Sequence, residues 1–144
     1  LLENLEGIPL EYIFYKDKSE QNTLLVRQLK KLSESKLPFS ELIITSPRKF
    51  ENSSISLIND FKIVEIKNGN LPATIQDFVS FSTIQSYKGM ESNYMIMTDI
   101  EDLTSDIAKS ILYVGMSRAR YGLILMISEA SRNDYKEILR RKLN

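Results

Sequence analysis

The sequence predicts an α/β protein, a three-layer sandwich in which helices cover a mainly parallel β-sheet. With 144 residues, 42% of them apolar, the chain has the length and composition of one domain with a substantial core. Short apolar runs alternate with longer segments of helical spacing, as they do in βαβ units. The runs at 94–97 and 123–127 lack polar alternation, which is typical of strands buried on both faces. We therefore predict a single domain over residues 1–144.

The elements of the first half follow from hydrophobic periodicity. Leu10, Tyr12 and Phe14 lie at alternate positions and predict a strand. Leucines at helical spacing predict a helix over Glu20–Ser35, for which Ser19 is the expected N-cap. The other elements predicted here are a strand at Leu42–Thr45, a short helix near Ser54–Asn59, a strand at Phe61–Ile66 and a turn at Asn68–Asn70.

The second half continues the same alternation. Its predicted elements are strands at Phe78–Ile84, Tyr94–Thr98 and Leu123–Ile127 and helices at Ser105–Ser117 and Glu129–Leu143. Ligands of parallel sheets bind beyond the carboxyl ends of the strands. We therefore expect functional residues just after Ser46, Thr83 and Thr98.

The composition excludes several classes of chemistry. The chain has no Cys and no His, so disulfides, thiol nucleophiles, Ser-His triads and His-ligated metals are absent. Its 19 basic and 19 acidic residues cancel, which excludes a strongly basic nucleic-acid arm but not a local basic site. No apolar run reaches the roughly 18 residues of a membrane span. We expect a cytoplasmic chain without a membrane partner, and a start at Leu1 rather than Met suggests a fragment of a longer protein.

Arg118 stands out when the predicted second-half helix is extended from Ser105 to Arg120. On a helical wheel with Ile107 at zero, Arg118 falls at about 20°, inside the apolar stripe, while Arg120 falls at about 220° on the polar face. A cation on the core side needs a carboxylate, carbonyl groups or an anionic ligand, because an unpaired buried charge is costly. The position is compatible with an intramolecular salt bridge and with a ligand contact.

A polar loop follows the predicted strand Phe78–Ile84. In this loop Gly89 allows close approach of a ligand to the backbone, Lys88 supplies a cation and Glu91 supplies an acceptor. An ordinary connection between a strand and the next element has the same composition. The loop is therefore a candidate site only in combination with other motifs.

Three acids, Asp99, Glu101 and Asp102, follow the apolar strand Tyr94–Thr98. This arrangement resembles the magnesium-holding strand of P-loop ATPases, but no GxxxxGK[ST] segment is present, so the chain cannot by itself be a P-loop ATPase. We expect a solvated strand end and predict no metal-ligating residue.

Two further features have both a functional and a structural interpretation. The basic residues that end the last predicted helix, Arg140, Arg141 and Lys142, could contact phosphate, although the helix dipole also favours cations there. Tyr87 and Tyr113 could stack on bases, although surface tyrosines beside loops are common. We favour the structural interpretation of both.

Two segments taken together resemble the second RecA-like domain of superfamily 1 helicases of the UvrD/Rep kind. TIQSYKGMESNYMIM, residues 83–97, resembles motif V, and ILYVGMSRARYGLILM, residues 111–126, resembles motif VI. Each segment has the order and the strand or helix context that the family shows. The resemblance covers roughly Phe78–Ser128 and implies a RecA-like fold, the P-loop NTPase fold without its own P-loop.

The resemblance implies a role in ATP binding for three residues. Arg118 matches the motif VI arginine that reaches the γ-phosphate of ATP held between two RecA-like domains, where it acts as an arginine finger. Glu91 matches the motif V acid that hydrogen-bonds the ribose, and Gly89 matches the glycine that lets the loop approach the nucleotide. The implied cofactor is ATP, with magnesium held by an N-terminal RecA-like domain of the same chain.

The same resemblance implies contact with single-stranded nucleic acid, with DNA favoured over RNA. The motif V positions that meet the strand backbone are Thr83, Gln85 and Lys88. The sequence departs from the family at Gln85, where many relatives have His, and at Ser92, where they often have Phe. A motif IV arginine is not recognisable, since neither Arg27 nor Arg48 has the expected setting.

The leading hypothesis is the C-terminal domain of an ATP-dependent DNA helicase or translocase, inactive as an isolated fragment. The first alternative is a RecA-like nucleic-acid-binding or regulatory module without ATPase activity. A stand-alone α/β binding protein is the second, although it would leave Arg118 without a ligand.

Overall fold

The computed structural model describes residues 10–67, 77–87 and 90–143. Its strands are β1 (Leu10–Tyr15), β2 (Leu42–Ser46), β3 (Ile63–Glu65), β4 (Val79–Thr83), β5 (Ser92–Ile100) and β6 (Ala119–Ser128), and its helices are α1 (Lys18–Glu34), α2 (Asp106–Met116) and α3 (Arg132–Leu143). The strands form one sheet in the order β1-β6-β5-β2-β4-β3. Each pair of neighbouring strands is parallel, which confirms the predicted sheet type.

Two hydrophobic layers lie on opposite faces of this sheet. Successive residues of a strand point to opposite faces, and in β5 Ile96 belongs to one apolar cluster while Met95 and Met97 belong to the other. Leu25 and Leu29 of α1 pack in the first cluster. Side chains of α2 and α3 pack in the second, namely Leu112, Met116, Tyr135 and Ile138. The predicted three-layer α/β sandwich is therefore confirmed.

Helix α1 begins earlier than the sequence predicts. Its N-cap is Asp17 rather than Ser19: the Asp17 carboxylate accepts a hydrogen bond from the Glu20 amide at 2.8 Å. The Glu20 carboxylate in turn accepts from the Lys16 amide at 2.8 Å. This exchange resembles a capping box and satisfies two amides at the helix start, which Ser19 could not do from inside the helix.

Helix α2 ends at Met116, so its extension to Arg120 is wrong. Ser117 caps the helix with a bond from its amide to the Tyr113 carbonyl, and β6 begins at Ala119. The assumed centre of the apolar stripe is wrong as well, since Ile107 is 75% exposed. Arg118 therefore lies in the turn between α2 and β6, and Arg120 lies in strand β6, so neither residue is on a helical face.

Several smaller elements differ from their predicted form. The short helix expected near Ser54–Asn59 is a 3-10 turn at Ser54–Leu57, and a second 3-10 turn at Glu129–Ser131 precedes α3. The predicted turn at Asn68–Asn70 lies outside the described residues. Within the part of the chain that the structure describes, no helix is both long and apolar enough to cross a membrane.

Candidate functional site

The structure separates the predicted site residues onto two opposite edges of the sheet. Thr83 is the last residue of β4 and Gln85 follows it, so both lie at the carboxyl edge. Glu91 precedes β5 and Arg118 precedes β6, so both lie at the amino edge. The Ser92 amide donates to the Arg118 carbonyl at 2.9 Å, which brings the starts of these two strands together. Lys88 and Gly89 lie outside the described residues.

At the amino edge, Arg120 forms a close ion pair with Glu91. The Arg120 Nε and Nη2 atoms both lie 2.7 Å from Glu91 Oε2. The two side chains are about half exposed, at 57% and 52%. Sequence analysis missed this pair because it placed Arg120 on a helix. In the structure, strand β6 carries Arg120 to the side chain of the residue that precedes β5.

Arg118 lies at the same edge and pairs with no carboxylate among the described residues. Its side chain is half-buried, and its Nε atom is buried with no hydrogen-bond partner among the described residues. Other arginines do pair with carboxylates, namely Arg48 with Glu101, Arg120 with Glu91, Arg132 with Glu129 and Arg140 with Glu137. The intramolecular salt bridge considered for Arg118 is thus not formed within residues 10–67, 77–87 and 90–143.

Tyr87 places a buried phenol next to these charges. It lies in a turn after β4 in which its amide donates to the Thr83 carbonyl at 3.0 Å, and its side chain is only 2% exposed. Burial raises the pKa of the Tyr87 hydroxyl, and a hydrogen bond with Ser92 and the nearby guanidinium groups of Arg120 and Arg118 act in the opposite direction. Stacking of Tyr87 on a base is therefore wrong, because its ring lies in the core.

A cavity of about 220 Å³ opens at the same edge. Tyr87, Glu91, Ser92 and Arg120 line one part of it, and Glu41 and Asn93 are bonded to each other across another part, with Asn93 Nδ2 2.8 Å from Glu41 Oε1. The amino edge thus combines a small polar cavity, an exposed carboxylate and two guanidinium groups. These are groups that bind hydroxyl and phosphate oxygens.

The carboxyl edge presents Thr83 and Gln85 differently. The Thr83 hydroxyl accepts a hydrogen bond from the Ser86 amide at 3.1 Å, while Gln85 is exposed in the turn. The Ile84 amide donates to the Ser46 carbonyl at 2.9 Å, so the end of β4 lies directly beside the end of β2. Gln85 is accessible to a ligand that crosses this edge.

The prediction of a solvated strand end is wrong for Asp99, which lies within β5, and Glu101 is only partly exposed. Asp99 is only 4% exposed and accepts hydrogen bonds from Gln21, Ser46, Ser54 and Thr98. Glu101 pairs with Arg48 and accepts a hydrogen bond from the Tyr15 hydroxyl at 3.3 Å.

Asp102, the third of these acids, is exposed and bonded locally. It accepts from the hydroxyl and the amide of Thr104, and these bonds lower its pKa. Among the residues that the structure describes, no three acidic side chains are grouped so as to hold a metal ion. Asp99 and Glu101 thus hold parts of the fold together, whereas Asp102 is exposed to solvent as predicted.

Solved structures with the same fold include two helicase domains. One is the C-terminal domain of a possible DNA helicase from Lactobacillus plantarum WCFS1, with a TM-score of 0.63, 16% identity, and coverage of 84% of this chain and 74% of that one. The chain has the fold of a helicase RecA-like domain. The other is domain 2 of a DEAD-box helicase bound to an RNA duplex, with a TM-score of 0.53, 18% identity, and coverage of 85% and 55%. The sequence matches no protein-family model and no curated protein.

Proposed function

We propose that this chain is the C-terminal RecA-like domain of an ATP-dependent DNA helicase or translocase of the superfamily 1 UvrD/Rep kind, acting in the cytoplasm. The motif V and motif VI resemblances support this proposal, and so does the fold shared with helicase domains. The observation that carries it is the guanidinium of Arg118, which is half-buried and lacks a carboxylate among the described residues although Glu91 lies near.

In this proposal Arg118 is the arginine finger. A cation that is already partly desolvated and has no carboxylate partner among the described residues interacts strongly with negative charge on a neighbouring surface. The γ-phosphate of ATP, bound with magnesium by an N-terminal RecA-like domain of the same chain, is the expected source of that charge. Such arginines contribute about 10³–10⁵ in rate to phosphoryl transfer.

The neighbouring motif V residues complete the nucleotide contact. Glu91 accepts hydrogen bonds from the ribose, and Gly89 lets the loop approach the nucleotide. The exposure of Glu91 at the same edge as Arg118 supports this assignment, because one nucleotide can then meet both residues.

Single-stranded DNA is expected at the opposite edge, where Thr83 and Gln85 contact its backbone. Lys88, which lies outside the described residues, is the third expected contact. The accessibility of Gln85 and the position of Thr83 at the carboxyl end of β4 support this placement. The choice of DNA rests on the UvrD/Rep resemblance. Motif V would thus join a DNA-binding end and a nucleotide-binding end in one short segment.

Steady-state ATPase assays of the complete enzyme, with and without single-stranded DNA, test the proposal. We expect Arg118→Ala to lower turnover by about 100-fold or more while nucleotide binding is largely retained. The matched control is Arg132→Ala, which removes an arginine that pairs with Glu129 far from this edge and leaves turnover unchanged. An unchanged rate for Arg118→Ala would contradict the finger assignment. A complete protein that binds DNA but hydrolyses no ATP would instead indicate the binding or regulatory module.

A further inference from the structure

In the ion pair between Arg120 and Glu91, two nitrogens of one guanidinium contact a single carboxylate oxygen. We propose that Arg120 is a positioning residue, which holds the Glu91 carboxylate in place to receive the ribose hydroxyls of the bound nucleotide. This inference rests on the proposed function, because it assumes that Glu91 meets a nucleotide. It assigns a task to a second arginine, two positions after Arg118.

The first argument is the way in which the pair uses the two carboxylate oxygens. Both Arg120 Nε and Arg120 Nη2 converge on Glu91 Oε2, at 2.7 Å each. Glu91 Oε1 accepts no hydrogen bond from any residue that the structure describes. The carboxylate is therefore anchored through one oxygen, and the other remains available to a hydroxyl donor.

The second argument is that both partners are attached to a rigid frame. Ser92, next to Glu91, is paired with Ala119, next to Arg120, in the β5–β6 ladder. A half-exposed glutamate without a partner samples many rotamers and loses that freedom when it binds. Because the pair orders Glu91 before the nucleotide arrives, it reduces the entropy lost on binding.

The third argument concerns the separate roles of the two arginines. Glu91 pairs with Arg120, and Arg118 has no carboxylate partner among the residues that the structure describes. Arg120 also offsets the negative charge of Glu91, which would otherwise oppose the approach of a triphosphate. One arginine thus orders the acid while the other keeps its charge for the phosphate.

The test compares ATP with 2′,3′-dideoxy-ATP as substrates of the complete enzyme at saturating single-stranded DNA. The variants are Glu91→Gln, Arg120→Gln, Arg120→Lys and the Glu91→Gln/Arg120→Gln double variant. We expect the unmodified enzyme to have a lower KM for ATP than for 2′,3′-dideoxy-ATP, because only ATP presents the ribose hydroxyls. We expect Arg120→Gln and Glu91→Gln each to raise the KM for ATP about fivefold to tenfold, to abolish the preference for ATP, and to change kcat less than about threefold.

Two further results are expected if the residues act as one unit. The KM of the double variant for ATP is no higher than that of either single variant. Arg120→Lys, which keeps the charge but not the two-nitrogen contact, retains part of the preference for ATP over 2′,3′-dideoxy-ATP. Arg132→Gln is the matched control, because it removes one partner of a similar arginine–carboxylate pair, with Glu129, at the start of α3. It should leave both KM values unchanged.

The outcomes distinguish this inference from the proposed function. If Arg120→Gln keeps the preference for ATP and its KM stays within twofold, the positioning role is wrong. A fall in kcat alone, equal for both nucleotides, also overturns it. If Arg118→Ala lowers turnover while Arg120→Gln behaves in either of these ways, only this inference fails. If Arg118→Ala has no effect, the proposed function fails with it.

Discussion

Asp99 is a buried acid whose backbone adopts an unusual conformation. Its φ angle is 61°, in the left-handed region that Asp tolerates better than most residues. The carboxylate accepts 2.7 Å hydrogen bonds from the hydroxyls of Ser46 and Thr98, and the Asp99 amide donates to Gln21 Oε1 at 2.8 Å. These bonds offset the cost of burying a charge and join the ends of β2 and β5 to helix α1.

Replacement of Asp99 with Asn tests this set of bonds without changing the size of the side chain. Asn also tolerates a positive φ, so the backbone is little affected. Its NH₂ group would, however, face the donors that now bond to the carboxylate. We expect the free energy of unfolding to fall by about 2–4 kcal/mol, as measured by urea denaturation. The exposed Asp106→Asn variant is the control, and an equal loss in the two variants would show that the bonds to Asp99 contribute little.

Helix α1 illustrates which features periodicity reveals. Its apolar spacing locates the helix, but its first residue depends on which side chain accepts hydrogen bonds from the free amides. That side chain is Asp17, not Ser19. At the other end the chain leaves the helix through Ser35 and then Lys36, whose φ is 68°. This is the position at which helices most often carry Gly, because a side chain is strained there.

Lys36→Gly is therefore expected to stabilise the chain. Removal of the side chain relieves the left-handed strain, and the greater freedom of Gly in the unfolded chain offsets part of the gain. We expect an increase of about 1 kcal/mol in the free energy of unfolding. The same urea denaturation of Ser33→Gly, a substitution inside helix α1, should show a lower free energy of unfolding than that of the unmodified chain. A decrease for Lys36→Gly would mean that its conformation costs nothing.

The order of strands and helices could be predicted from the sequence because burial imposes a periodicity on every element. The end of α2 and the start of β6 could not be predicted in this way. The bond from the Ser117 amide to the Tyr113 carbonyl ends the helix, and this bond leaves no pattern in the apolar residues. For the candidate site, the motif resemblance predicts Glu91 and Arg118, and their roles stay a prediction. It did not reveal the partner of Glu91, because the contact with Arg120 depends on the pairing of two strands distant in sequence.

The charge state of buried tyrosines links the stability of the whole domain to alkaline pH. Burial is the main cause of a raised pKa at Tyr15, Tyr87 and Tyr135. Each phenol ionises near pH 10 in the unfolded chain but at higher pH in the folded one. The folded state therefore retains protons that the unfolded state loses above that pH. The stability from these groups is fully present below about pH 10 and decreases as the pH rises past it.

Tyr135→Phe should reduce this alkaline loss. The Tyr135 hydroxyl is buried and has no hydrogen-bond partner among the described residues, while the ring packs against Tyr12 and Phe14. Phe keeps the packing and removes the ionisable group. We expect urea denaturation between pH 8 and 11 to show a smaller loss of stability than in the unmodified chain. The exposed Tyr121→Phe variant should not differ from it. Equal pH dependence in all three proteins would exclude a contribution from Tyr135.

The pairing of β1 with β6 has a consequence for the way in which the domain folds. In the described part of the chain, β1 has one strand neighbour, and that neighbour is the last strand. During synthesis β1 leaves the ribosome before its partner, and the pairing forms only after residues 119–128 have been made. Such distant pairing slows folding. Until β6 has been made, the apolar residues of β1 are open to other chains, so this domain is prone to aggregate during the whole interval between the synthesis of β1 and that of residues 119–128.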